Sequence, residues 1–256
     1  LKPMILDALL AMKDKDVFLN TSLHDLNITY MNFGWEVPGT FDAAVRVKNI
    51  SLKTIPYHIE SPAKSFPLLK DKDFDNGFVQ RGSVVSSDTV EMLMVRPGKI
   101  PRWLFSQWNS KYVLTSEDFQ LLPDGYSFSN EGCWLNRTLS DDSKKILSMY
   151  SAGNKEWSDG VREPGEPWPH MFLAQNFEQQ PSLDRLKELN FTMETRVADW
   201  RLYHEDQYDR DLHAARYKAV FSLQNINQNS PQYKKHLWFV LTFFDNRYEF
   251  QPEKWG

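Results

Sequence analysis

Cysteine is nearly absent from this 256-residue chain: Cys133 stands alone, so no intrachain disulfide can form. Compartment therefore cannot be read from cysteine pairing, and a lone thiol is expected to be buried and inert. No apolar run approaches the roughly 20 residues that a membrane span needs. There is also no basic excess. With 30 Lys and Arg against 34 Asp and Glu the formal charge is -4, which gives nothing to neutralise phosphates and argues against nucleic acid as a partner. Tight metal spacings such as HxH or HExxH are missing, so no metal site is expected. A GxSxG nucleophile elbow is missing too, and Cys133 has only Arg137 as a nearby base. The chain opens at Leu1 without an initiator Met or a charged-then-apolar leader, the form of a mature or trimmed protein.

Aromatic residues, by contrast, are plentiful: 9 Trp, 10 Tyr and 17 Phe. Large aromatics fill the cores of β-sandwiches, and they also stack on flat apolar ligand faces such as sugar rings. Five Asn-X-Ser/Thr triplets, at Asn20, Asn27, Asn49, Asn136 and Asn190, lean toward a secreted, periplasmic or cell-surface protein.

Residues 1–15 read as an N-terminal helical segment, with Met4, Ile5, Ala8, Leu9 and Met12 at helical spacing behind Pro3. Most of the remaining chain alternates with a period of two. Phe41, Ala43, Val45 and Val47 interleave with Asp42, Arg46 and Lys48, a half-exposed strand. Turn signals fall at Asn32 to Gly34, Pro38 to Gly39, residues 73–77 and Pro123 to Gly125. Val90, Met92 and Met94 alternate with Glu91 and Leu93. Two short helices are expected: residues 140–150, with Ser140 as N-cap and acids in the first turn, and residues 181–189. Between them, residues 153–170 carry three Pro and three Gly and form a long loop, the kind of segment that often holds binding residues.

Three long strands close the chain, at 190–202, 213–225 and 234–245. In the second, Tyr217, Ala219, Phe221 and Leu223 fall on one face, with Arg216, Lys218, Ser222 and Gln224 on the other. In the first, Phe191, Met193, Thr195 and Val197 oppose Thr192, Glu194, Arg196 and Trp200. If these strands are neighbours, Arg196 joins Arg216 and Lys218 in a positive surface able to hold a carboxylate. Glu194 is the ordinary alternative partner for those cations. Strands this long in a mainly β chain predict an all-β fold in one domain, an antiparallel two-sheet sandwich with a few short helices. The chain ends soon after a strong strand, where such a fold often adds one more.

The long strands, the Trp-rich loop before them and the one-sided polar faces resemble the concanavalin A-like lectin and glucanase jelly rolls. The resemblance implies carbohydrate held on a concave sheet, and many proteins of that architecture use calcium. The retaining glucanases of that fold carry E-x-D-x-x-E on one strand, and no Glu here begins such a run. The alginate-lyase-like members use an Arg-containing strand, a Gln-x-His strand and a Tyr-x-Lys strand. Arg196 matches the first and Tyr217-Lys218 the third, while no Gln-x-His occurs.

The expected ligand surface is therefore Trp157 and Trp168 as stacking platforms, with Arg196, Arg216, Lys218 and Gln224 as polar partners. Arg196, His213 and Tyr217 are the candidate catalytic groups. His170, His204 and His236 also lie near long strands. The ordinary reading of His213 is a hydrogen-bonded core residue, and that of His236 a residue at a strand end. Calcium is the one ion left open, at the acidic stretch 206–211. Three functions suit such a chain: a carbohydrate-binding or carbohydrate-processing protein outside the cytoplasm, a polysaccharide lyase or glycoside hydrolase with a non-standard constellation, or a protein-interaction sandwich with no small ligand.

Overall fold

The computed structural model describes residues 1–12, 22–56, 65–83, 88–157 and 160–248. It is an all-β sandwich of two packed seven-stranded sheets. In chain order the strands are β1 (Leu26–Glu36), β2 (Phe41–Pro56), β3 (Phe66–Pro67), β4 (Phe78–Arg81), β5 (Thr89–Leu93), β6 (Trp103–Trp108) and β7 (Phe119–Leu122). They continue with β8 (Gly125–Ser129), β9 (Cys133–Leu139), β10 (Lys145–Ala152), β11 (His170–Asn176), β12 (Leu186–Leu202), β13 (Arg216–Asn225) and β14 (His236–Asp245). One sheet runs β14-β13-β1-β11-β6-β4-β5 and the other β12-β2-β10-β9-β8-β7, with β3 beside β2. Among the described residues all strand pairings are antiparallel except β4 with β6. Two helices, α1 (Lys2–Ala11) and α2 (Gly153–Glu156), accompany them. No helix among the described residues is long and apolar enough to cross a membrane.

Alternation in the sequence becomes burial between the sheets. From β1, Met31, Phe33 and Trp35 point inward and meet Tyr217, Ala219 and Phe221 of β13, all of them fully or almost fully buried. Phe41, Ala43, Val45 and Val47 do the same from β2. Edge-to-face packing of Phe33 on Trp103 and of Phe191 on Phe221 fills the interlayer space. α1 buries Ile5, and the Leu1 ammonium donates to the Leu189 carbonyl at 3.0 Å, which seats the helix on β12. Cys133 is buried, its Sγ donates to the Tyr112 carbonyl at 2.7 Å, and burial pushes the thiol up to about 12.

Four expectations are overturned. Asn32 to Gly34 is not a turn but the middle of β1. Residues 140–150 are not a helix: Ser140 closes a hairpin by exchanging backbone hydrogen bonds with Lys144 and Ser143, and β10 begins at Lys145. The hydroxyl and acids that favour a helix N-terminus favour a tight turn for the same reason, because both offer acceptors to free N–H groups. Residues 181–189 make one 3-10 turn, Leu183–Arg185, before β12 takes over. The last three strands are not one sheet, since β12 pairs with β2 while β13 lies between β1 and β14.

Candidate functional site

The outward parity of the first sheet gathers charge at one end. Register sets Arg216 opposite Glu36, and Glu36 opposite His170, which in turn faces Trp108. One residue pair further in, Lys218 faces Gly34 and Gly34 faces Phe172. Glu36 is the hub. Its side chain is only 9% exposed; Oε2 lies 2.8 Å from Arg216 Nη2, and Oε1 accepts from Lys218 Nζ. Lys218 holds one oxygen by a charge-assisted hydrogen bond, while Arg216 lies within ion-pair distance of the other, which accepts no hydrogen bond from the described residues.

Glycine makes the geometry possible at position 34. A Cβ there would overlap the Met171 carbonyl oxygen, so β1 and β11 can approach only because none is present. Lys218 reaches over this low point, with Nζ 5.7 Å from the Phe172 ring centre.

Aromatic rings wall the cluster. His170 stacks on Trp108 at 4.2 Å and 7°, Trp168 stacks on His170 at 5.5 Å, and Arg162 lies 4.6 Å over Trp168. Burial lowers the His170 imidazole to about 4 and outweighs the opposing pull of Glu36, whose Oε1 is 4.0 Å from Nε2. At neutral pH the imidazole is therefore neutral, and the cations Arg162, Arg216 and Lys218 surround Glu36, with Asp245 opposite Arg216 on β14 and Glu166 beside Arg162.

The loop before β11 is fixed from below. His213, 1% exposed, bonds the Arg162 carbonyl through Nε2 at 2.8 Å and takes the Asp209 N–H on Nδ1 at 2.9 Å. Trp157 covers Gly39 and donates to Glu166 at 2.9 Å. Trp157 thus pins the loop, whereas Trp168 is the half-buried ring at the cluster.

The structure brings together Arg216, Lys218, Trp168 and His170 of the residues singled out in the sequence. Gln224 shares their face but stands eight residues along β13, roughly 26 Å away at 3.3 Å per residue. Near that far end Trp238 is half exposed, and the Tyr30 hydroxyl reaches Ser222 and Trp238. Arg196 does not join the set: it is exposed on the outer face of the other sheet, opposite Arg46. Glu194, beside it, pairs with Lys48 at 3.4 Å rather than with Arg216 or Lys218. Tyr217 is sealed between the sheets, where its hydroxyl meets Thr195 at 3.0 Å and burial raises its pKa far above the ordinary phenol range. His213 buttresses a loop from inside. His204 and His236 are exposed and apart from the cluster.

Glu36, Trp108, Phe172 and Arg162 complete the site and were not singled out. Glu36 had a signal: Met31, Phe33 and Trp35 alternate with Tyr30, Asn32 and Glu36, as a half-buried strand should. Among the described residues no three His, Cys, Asp or Glu side chains gather as a metal would need. In the stretch 206–211, Asp209 Oδ1 accepts the Asp211 and Leu212 N–H groups, which is turn chemistry.

Fold and site together define an all-β two-sheet sandwich with an aromatic, cation-rich cluster on one outer face. No family model, curated protein or solved structure matches the chain.

Proposed function

We propose that the protein binds or processes carbohydrate on the outer face of its first sheet, outside the cytoplasm, and that it prefers chains with acidic units. One observation carries the reading. Trp168, His170 and Trp108 form a stacked aromatic wall directly beside Arg216 and Lys218, which Glu36 holds in place. Sugar rings offer apolar faces to aromatic walls, and a uronate or sulfate offers anionic oxygens to a fixed guanidinium and ammonium. The exposed Trp238 toward the far end of the face suits a ligand that runs along the strands. The two-sheet sandwich is also what a concanavalin A-like relationship would require, though such architecture does not by itself fix function.

A glycan array tests this with the wild type, Arg216→Ala and Trp168→Ala. Binding to acidic oligosaccharides is expected, weakened about tenfold or more by each change, since a charge-assisted hydrogen bond contributes about 1.5–3 kcal/mol. No binding to any glycan, neutral or acidic, would count against the reading.

A second reading, a polysaccharide lyase, is favoured by His170 alone. It is unprotonated at neutral pH and stands in the same cluster as Arg216, so it can accept a proton from a uronate whose carboxylate that guanidinium offsets. New ultraviolet absorbance from an unsaturated uronate, lost in His170→Gln, is the expected signature. Intact polymer after prolonged incubation would leave the site a binding site.

A further inference from the structure

On the opposite face of the sandwich, where β2, β10 and the end of β12 meet, lies an open cleft of about 160 Å³ lined by Asp42, Tyr150, Asp199, Arg201 and Tyr203. It shares no residue with the cluster on the first sheet. Asp42 forms its base and is only 9% exposed. Its Oδ2 accepts from the Tyr150 hydroxyl at 3.1 Å, its Oδ1 from the Asn154 N–H at 3.3 Å, and the Tyr203 hydroxyl also reaches it. Tyr150 in turn stacks on Trp134 at 5.4 Å and 16°, so its ring is braced from one side.

The donors at the base of this cleft are thereby spent. Both tyrosine hydroxyls and the Asn154 N–H are directed at one carboxylate, and the Tyr203 oxygen also meets Arg201, so the acceptors left at the base are those of Asp42 and Tyr150. Two carboxylates, Asp42 and Asp199, face the single cation Arg201, which is exposed at the rim and bonded to Tyr203. An acceptor-rich base, a negative balance and tyrosine walls suit a group that is all donor and positively charged. A primary ammonium has three donors, no acceptor and an attraction to aromatic faces. A neutral sugar hydroxyl would find few free donors at the base for its own oxygen.

We infer that the Asp42 cleft is a binding site for a primary ammonium group, carried by an amino sugar or an alkyl amine, independent of the carbohydrate face proposed above. Burial holds the Asp42 carboxyl above its ordinary range, a penalty that an incoming cation would relieve.

Calorimetric titration of the intact chain with glucosamine, glucose, N-acetylglucosamine and cadaverine tests it. Glucosamine is expected to bind about tenfold or more tightly than glucose and N-acetylglucosamine, which lack the charge. Cadaverine binding as well as glucosamine would show that the ammonium alone is recognised; weaker cadaverine binding would assign the site to amino sugars. Asp42→Asn should weaken glucosamine about tenfold. Because that side chain is buried, Arg201→Gln at the exposed rim gives a second reading, and removal of the competing cation should tighten binding. Equal affinity for glucose and glucosamine, glucosamine binding weakened by Arg201→Gln, or no response to either amine would overturn the inference.

Discussion

The two outer faces of this sandwich are built by the same rule and end with opposite chemistry. On the first sheet, a sheltered carboxylate, Glu36, is shared by two cations, Arg216 and Lys218. On the second, Asp42 is shared by two tyrosine hydroxyls. In both places an acid sits at a strand end with its cross-strand neighbours chosen by register. The partners differ: two cations close on Glu36, while hydroxyls and one backbone N–H hold Asp42, with Arg201 as its charged cross-strand neighbour. Burial of an acid therefore says little about what a face will bind until its hydrogen-bond donors are known.

The largest test of this contrast is Gly34→Ala. The new Cβ would press on the β11 backbone and push apart the strands that carry Glu36, His170 and Phe172. A loss of about 3 kcal/mol is expected, at the upper end for overpacking, read as a lowered urea midpoint at unchanged slope. A change within experimental scatter would mean that strand spacing does not set the cluster.

Acid titration should separate the faces next. His170 is near 4 when folded, against an ordinary 6.5, because burial disfavours its charged form. The unfolded chain then binds the extra proton first, so this residue's contribution to stability is whole above about pH 6.5 and declines as pH falls toward 4. The decline should reach roughly 3 kcal/mol and vanish in His170→Phe, which keeps a ring between the tryptophans. If the two proteins lose stability in parallel over that window, His170 is not the titrating group.

The smallest effect is expected at Arg196. As an exposed side chain on the second sheet, Arg196→Ala should change stability by less than about 0.5 kcal/mol and leave acidic-glycan binding as in the wild type. An effect on binding equal to that of Arg216→Ala would mean that one ligand spans both faces.

Much of the architecture could be read from alternation, since Tyr217, Ala219, Phe221 and Leu223 face inward and Arg216, Lys218, Ser222 and Gln224 outward, as their period of two implies. Period two assigns a face within a strand but not the sheet to which the strand belongs. That is why Arg196 and Arg216 look like neighbours in sequence and stand on opposite outer surfaces. Local irregularity is equally hidden. A register shift between Val197 and Asp199 moves Trp200 off the polar parity, so it stacks on Phe41 at 5.6 Å. Glu36 escaped notice because Asn-Phe-Gly resembles a turn. In β1 the glycine serves a close approach of backbones instead, a requirement set by β11, well over a hundred residues away.

Cys133 gives the molecule a built-in latch indicator. Its sulfur is spent on the Tyr112 carbonyl, and burial keeps it protonated, so a thiol reagent can act only after β9 has parted from the segment just beyond β6. With no second thiol to confuse the signal, the rate of labelling measures how often this corner of the sandwich opens, and the chain needs no engineering to report it.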